Sequence, residues 1–242
     1  MKSNTVFIAG MASAILFAAA GSALANPRAA EASGADFLVA ADDLSGWHVG
    51  MFYRYQSREI SHELDNLSQD AFAFHVGRDI FSWLSIYGFI GTVDCELEES
   101  FDDSDIAISY GGGAWLNIVD QDIMSTLSTE TRMRLQACAQ INAAKPEIGG
   151  RDYEYTETYA NITFSIINEI VGNKSFWPDA IGVFLGPAYS RLECDDLDTT
   201  GDNLGMIFGL DVYVTRNVSL SGSYETYGAG DNAVNISFNC RF

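Results

Sequence analysis

The residues best suited to chemistry are few and widely spaced. His48 and His75 each occupy a polar alternate position in a period-two segment. Two imidazoles meeting on neighbouring strands would begin a metal site or an acid–base pair, although interior histidines bonded to neighbours are commoner. Arg54, Arg132, Arg134, Glu157, Asp211, Glu225 and Arg241 take polar positions in other segments of the same kind. Facing a narrow interior, charges of both signs are expected to pair, because burying either alone is costly. A lumen that kept them unpaired would instead use them to set the selectivity of a small pore. Ser61, His62 and Glu63 have the residue types of a hydrolytic triad, but three consecutive loop residues do not form one. No catalytic residue, metal-ligand set or cofactor site is assigned.

Two acidic stretches carry the remaining candidate chemistry. Residues 94–105, "DCELEESFDDSD", hold seven carboxylates without a basic residue, and 193–203, "ECDDLDTTGDN", hold five. Glu98, Glu99, Asp102, Asp103 and Asp105, with Asp195, Asp196 and Asp198, are the hard oxygen ligands a divalent cation such as Ca²⁺ or Mg²⁺ would contact. The first stretch lacks the Gly-turned ligand register of an EF-hand, and solvated loop tips are the simpler expectation. Four cysteines complete the inventory: 95, 138, 194 and 240. Cys95 and Cys194, both at acidic strand ends, are the candidate disulfide in an exported chain.

Export is read from the first 25 residues. Lys2, an apolar run from Val6 to Ala20 and the small-residue pattern Ala23-Leu24-Ala25 make a signal peptide with cleavage expected after Ala25. Residues 26–45, Ala-rich and without periodicity, read as a linker, and 46–242 as one domain. The formal charge of −20 argues against nucleic acid as a partner, since phosphates would be repelled. After the leader no apolar run reaches the length of a spanning helix, which leaves a membrane barrel open because its strands are only half apolar.

Alternation governs the domain. Gly46–Gln56, 71–77, Trp83–Val93, Ile106–Ile118, Tyr153–Ile166, Ala180–Leu192, Leu204–Val214, Val218–Tyr227 and 233–242 all read as strands. Both faces of Trp83–Val93 are apolar, so its sidedness is not fixed. Most of the other segments set aliphatic and aromatic residues against Gly, Ser, Asn and scattered charge, which suits lipid outside and a narrow wet lumen inside. Trp47, Tyr53, Tyr55, Tyr153 and Tyr227, near strand ends, are expected in interfacial girdles.

One further segment, Arg132–Asn142, is built from helix formers yet alternates strictly. Strands with both termini on one side must be even in number. The segments around it both descend, so an ascending strand is required between them. The expected architecture is therefore all-β: a transmembrane up-and-down antiparallel barrel of ten strands, with eight as the alternative.

A leader, period-two strands and a last strand with Val234, Ile236, Phe238 and a terminal Phe242 resemble the small bacterial outer-membrane β-barrels of the porin-like and OmpA-type class. No subfamily is singled out. The resemblance implies the outer membrane of a Gram-negative-type bacterium, with acidic loops outside and the lipid itself as a partner. It further implies periplasmic chaperones and the barrel-assembly machinery, with Phe238 and Phe242 as the assembly signal, and a monomer. Omptin-like proteases share the barrel class, but the Asp-His dipeptide is missing here, and no His/Ser pair matches the lipid A deacylases. A non-enzymatic structural or surface-interaction role is expected first, a narrow passive channel second, and a barrel hydrolase third.

Overall fold

The structure, a computed structural model, describes residues 46–59, 66–81, 83–97, 102–123, 131–148, 151–170, 178–194, 202–215 and 217–242. The expected leader (1–25) and linker (26–45) lie outside the described residues, as do Glu98, Glu99, Asp195, Asp196, Asp198 and the Ser61–Glu63 stretch. Asp102, Asp103 and Asp105 are placed by their backbone in a short strand.

Thirteen strands follow in order: β1 (Trp47–Glu59), β2 (Asn66–Phe81), β3 (Leu84–Leu97), β4 (Asp102–Asp105), β5 (Ala107–Ile123), β6 (Thr131–Ala144), β7 (Glu147–Ile148), β8 (Arg151–Asp152), β9 (Tyr155–Glu169), β10 (Ala180–Cys194), β11 (Asp202–Thr215), β12 (Val218–Tyr227) and β13 (Asn232–Arg241). Ten are long and each pairs antiparallel with its neighbours, while β4, β7 and β8 form a small extension beyond β3. The first strand pairs with both β2 and β13, so the sheet closes on itself and no long strand is left with a free edge. It is a ten-stranded up-and-down barrel.

The segment of helix formers is a strand. β6 is held on both sides, by β5 and by β9, so its backbone groups are satisfied in the ladder whatever its propensity. Arg134 is 1% exposed on its inner face and Ile141 56% exposed on its outer one.

The outer surface is apolar. Phe74, Ile90, Ile108, Val183, Leu204 and Phe208 all stand exposed on it, and they come from strands all around the barrel. Water does not tolerate a continuous apolar belt of this kind, whereas a bilayer requires one. At the terminal end, where β1 begins and β13 ends, Phe242 N–H donates to the Trp47 carbonyl at 2.9 Å. Phe81 and Trp83 stack there at 5.2 Å, and Arg78 lies over the Trp47 ring at 5.4 Å. These exposed rings form the girdle on that side. Tyr227 does not join a girdle: it is 6% exposed and inward, two residues from Glu225 on the same face. Tyr153 likewise packs against an interior apolar cluster.

Two strands depart from simple alternation for identifiable reasons. β3 turns Tyr87, Phe89, Val93 and Cys95 inward and Ile86 and Ile90 outward, so its two faces are chemically alike. β5 carries a bulge between Asn117 and Val119. The extra residue shifts the alternation by one and brings Asp120 inward, opposite Arg134.

Candidate functional site

From the end far from the termini, the inward residues of successive strands make distinct layers. Leu67, Val93, Cys95, Ala144, Tyr155 and Leu192 come first and form a buried apolar cluster across the lumen. Cys194 packs against it, so the candidate pair Cys95 and Cys194 meets in one cluster although β5, β6 and β9 separate their strands. One inward step nearer the termini, Tyr155 gives way to Glu157 and Leu192 to Ser190. There the charges gather. Glu157 accepts from Arg54 at 2.9 Å, from Arg58 at 3.3 Å and from the Ser190 hydroxyl at 2.7 Å. Arg54 also reaches Glu225 at 3.3 Å. Glu225 in turn accepts from Tyr159 at 2.8 Å, Tyr227 at 2.6 Å and Asn235 at 2.9 Å. Every carboxylate in this layer is held by cations and hydroxyls, the condition under which buried charge is tolerable.

Below the charged layer the lumen opens into a cavity of about 300 Å³. One wall is aromatic. Trp115 stacks on Tyr87 with centroids 4.4 Å apart, His48 lies 5.3 Å from Trp115, and His75 meets it edge-on at 5.9 Å. The two histidines are 5.8 Å apart, centroid to centroid. Glycines make room for them reciprocally: His75 faces Gly50 across the β1–β2 ladder and His48 faces Gly77. A Cβ on Gly77 would sit 2.1 Å from the His48 ring, and one on Gly50 would sit 2.5 Å from His75. The other wall is small and polar, with Ser219, Ser221 and Ser223 from β12 and Asn161, Thr163 and Ser165 from β9.

The remaining inward charges pair near the terminal rim. Arg241 donates to Asp79 at 2.5 Å. Asp120 accepts from Arg134 at 3.0 Å and also pairs with Arg132. Asp211 lines the cavity and accepts from Ser221 at 2.6 Å. The sequence-predicted residues thus fall into three groups: Arg54, Glu157 and Glu225 in the charged layer; His48, His75 and Asp211 on the cavity; Arg132, Arg134 and Arg241 in rim pairs. Among the described residues no set of three His, Cys, Asp or Glu side chains converges to hold a metal. Phe238 and Phe242 belong to the closing end of the barrel, Phe238 opposite Met51 on β1.

Sequence reasoning missed Arg58, Asp79, Asp120 and the aromatic wall. Arg58 continues the alternation Arg54, Gln56, Arg58 and needed only a longer first strand. Asp120 was hidden by the bulge. Tyr87 and Trp115 carry no signal separating an inward ring from an outward one.

No protein-family model matches the chain, and no curated protein matches it in sequence. Among solved structures the barrel is similar to the transport unit of the autotransporter AIDA-I from Escherichia coli, at 13% identity and a TM-score of 0.46, over 85% of this chain and 93% of that one. It is similar to the beta domain of the Bordetella autotransporter BrkA at 10% identity and a TM-score of 0.47, over 81% of this chain and all of the other. A COG4313 outer membrane channel from Pseudomonas putida F1 matches at 8% identity and a TM-score of 0.42, over 88% of this chain and all of that one.

Proposed function

We propose that the protein is a non-conducting outer-membrane barrel with a non-enzymatic, structural or surface-interaction role. Its termini face the periplasm and its acidic loops face outward. The observation that carries this reading is the filled outer half of the lumen. An apolar cluster lies directly on a layer in which Arg54, Arg58, Glu157 and Glu225 pair with one another, and this filling opposes the passage of ions. A conducting pore needs a wetted lumen with binding groups that release their ions. Here both carboxylates of the layer, Glu157 and Glu225, are engaged by guanidinium and hydroxyl groups. The convergent nucleophile, base and orienting acid that hydrolysis requires are not brought together by the cavity's histidines and serines. Outer-membrane lipid covers the belt, and assembly proceeds through periplasmic chaperones and the barrel-assembly machinery acting on the strand that ends in Phe242.

Planar-bilayer recording of the refolded protein tests the reading. The expected trace is silent across applied voltage in both directions. A steady single-channel conductance would overturn it in favour of a narrow passive channel.

A further inference from the structure

We propose that the cavity on the terminal side of the charged layer is a binding site for a neutral saccharide, one or two rings in size. Four observations carry this. The first is volume: about 300 Å³ lies at the small end of ligand clefts. The second is the division of its lining. Tyr87, Trp115 and the two imidazoles offer an apolar wall to the C–H groups of a ring, while the opposite wall offers hydroxyls and amides. Amphipathic ring ligands are held by this combination of apolar contact and a few placed polar groups.

The third observation is a set of buried polar atoms with no hydrogen-bond partner in the protein. His48 is 4% exposed, yet both of its ring nitrogens are unsatisfied. Ser219 Oγ, and Nε and Nη1 of Arg241, are unsatisfied as well, while His75 meets the Asn239 amide across Gly50. These groups line the cavity and are neighbours in the sheet. One row across four strands runs His75, Gly50, Asn239, Ser219, and the next sets His48 beside Arg241. Buried donors and acceptors are normally paired, and a cluster of exceptions on one surface marks where a ligand's polar groups belong. Because donors and acceptors are mixed, the matching group must both donate and accept, as a hydroxyl does.

The fourth is charge. Arg54 is answered by Glu157 and Glu225 and Arg241 by Asp79, while Asp211, also on the cavity, is held by the Ser221 hydroxyl, so the lining offers no free cation to attract an anionic ligand. The cavity extends toward the terminal rim, as far as Trp83 and Ser85.

The test uses the full chain refolded in detergent, titrated with maltose, cellobiose and diacetylchitobiose and followed by calorimetry and tryptophan fluorescence. At least one of the three is expected to bind saturably. Ser219→Ala, which removes only the hydroxyl, and Asn239→Leu should each weaken that binding about tenfold, the order of one lost buried hydrogen bond. Trp115→Phe should remove most of the fluorescence change while the calorimetric heat persists. Glucuronate and phenol serve as charged and apolar controls. The proposal is overturned if none of the three disaccharides binds, or if phenol binds as well as they do. It is also overturned if sugar binding survives Ser219→Ala and Asn239→Leu undiminished in variants that retain the folded barrel's gel mobility. Conductance is a separate readout, so failure here leaves the closed-lumen reading standing.

Discussion

Replacing Glu157 by Gln removes one charge from the layer that closes the lumen and leaves the volume nearly unchanged. Glu157 is 3% exposed and joins Arg54, Arg58 and Ser190. After the change Arg54 keeps Glu225 at 3.3 Å, but Arg58 keeps only neutral contacts, with the Ser190 hydroxyl and the Gln56 amide, and the more distant charge of Asp231. A guanidinium is then buried without a carboxylate in contact. Breaking a buried pair from one side costs about 3–5 kcal/mol, most of it the penalty of the stranded ion. The loss should appear as a lower midpoint of guanidinium unfolding in micelles, with the slope unchanged. The double variant Arg58→Met with Glu157→Met removes both partners and should recover most of that loss, since an apolar pair of similar size is often no worse than the ion pair it replaces. A shift below about 1 kcal/mol for Glu157→Gln would refute the argument, because it would mean that the layer is wet and its charges screened. A double variant as unstable as the single one would place the cost in shape rather than in charge.

Three further outcomes follow from the fold. Spin labels placed singly along β6 should report lipid exposure with period two, high at Ile141 and low at Arg134; a period near that of a helix would contradict the strand. Deleting Phe242, whose N–H closes onto Trp47, should reduce membrane yield far more than removing residues 98–101, and equal yields would count against the closing role of the last strand. Gly77→Ala should destabilise the barrel by about 1–3 kcal/mol in the same unfolding assay, because the new methyl group meets the His48 ring and the Ile86 carbonyl; an unchanged midpoint would show that the lumen has slack there.

Much of this architecture was legible from alternation alone. Ten strands follow from ten period-two segments, and β6 was recoverable because parity demanded an ascending strand where propensity suggested a helix. Sidedness was legible where the lumen is polar, as at Arg54, His75 and Glu225. It failed where the lumen is filled by rings, because a ring facing other rings has the same chemistry as one facing lipid. β3 is that case, with Phe89 inward and Ile90 outward. Tyr227 was misplaced for a different reason: its position at a strand end suggested a girdle, while its parity with Glu225 already put it inside. Asp120 could not be placed by parity at all, since a bulge resets the count without leaving a mark in composition.

The cavity, by contrast, is written in the sequence once the inward register is known. Along β12 the inward positions read Ser219, Ser221, Ser223, Glu225, Tyr227, passing from small hydroxyls to a carboxylate to a ring. On the other side, β9 runs the opposite way through the same order: Tyr155, Glu157, Tyr159, then Asn161, Thr163 and Ser165. The two strands are antiparallel in direction within the barrel, so their large residues meet at the far end and their small ones at the terminal end. Protein interiors fill to crystal-like density when side chains of adequate volume are supplied. Three successive serines and a run of short polar residues withhold that volume at one end, while Glu157, Glu225 and the tyrosines supply it at the other. A barrel that needed only to be stable could carry leucine or phenylalanine at Ser219 and Ser221 and close the lumen throughout. Placing small residues against an aromatic wall, with an unsatisfied imidazole and hydroxyl between them, spends stability on open space. That expense is what a bound ligand would repay.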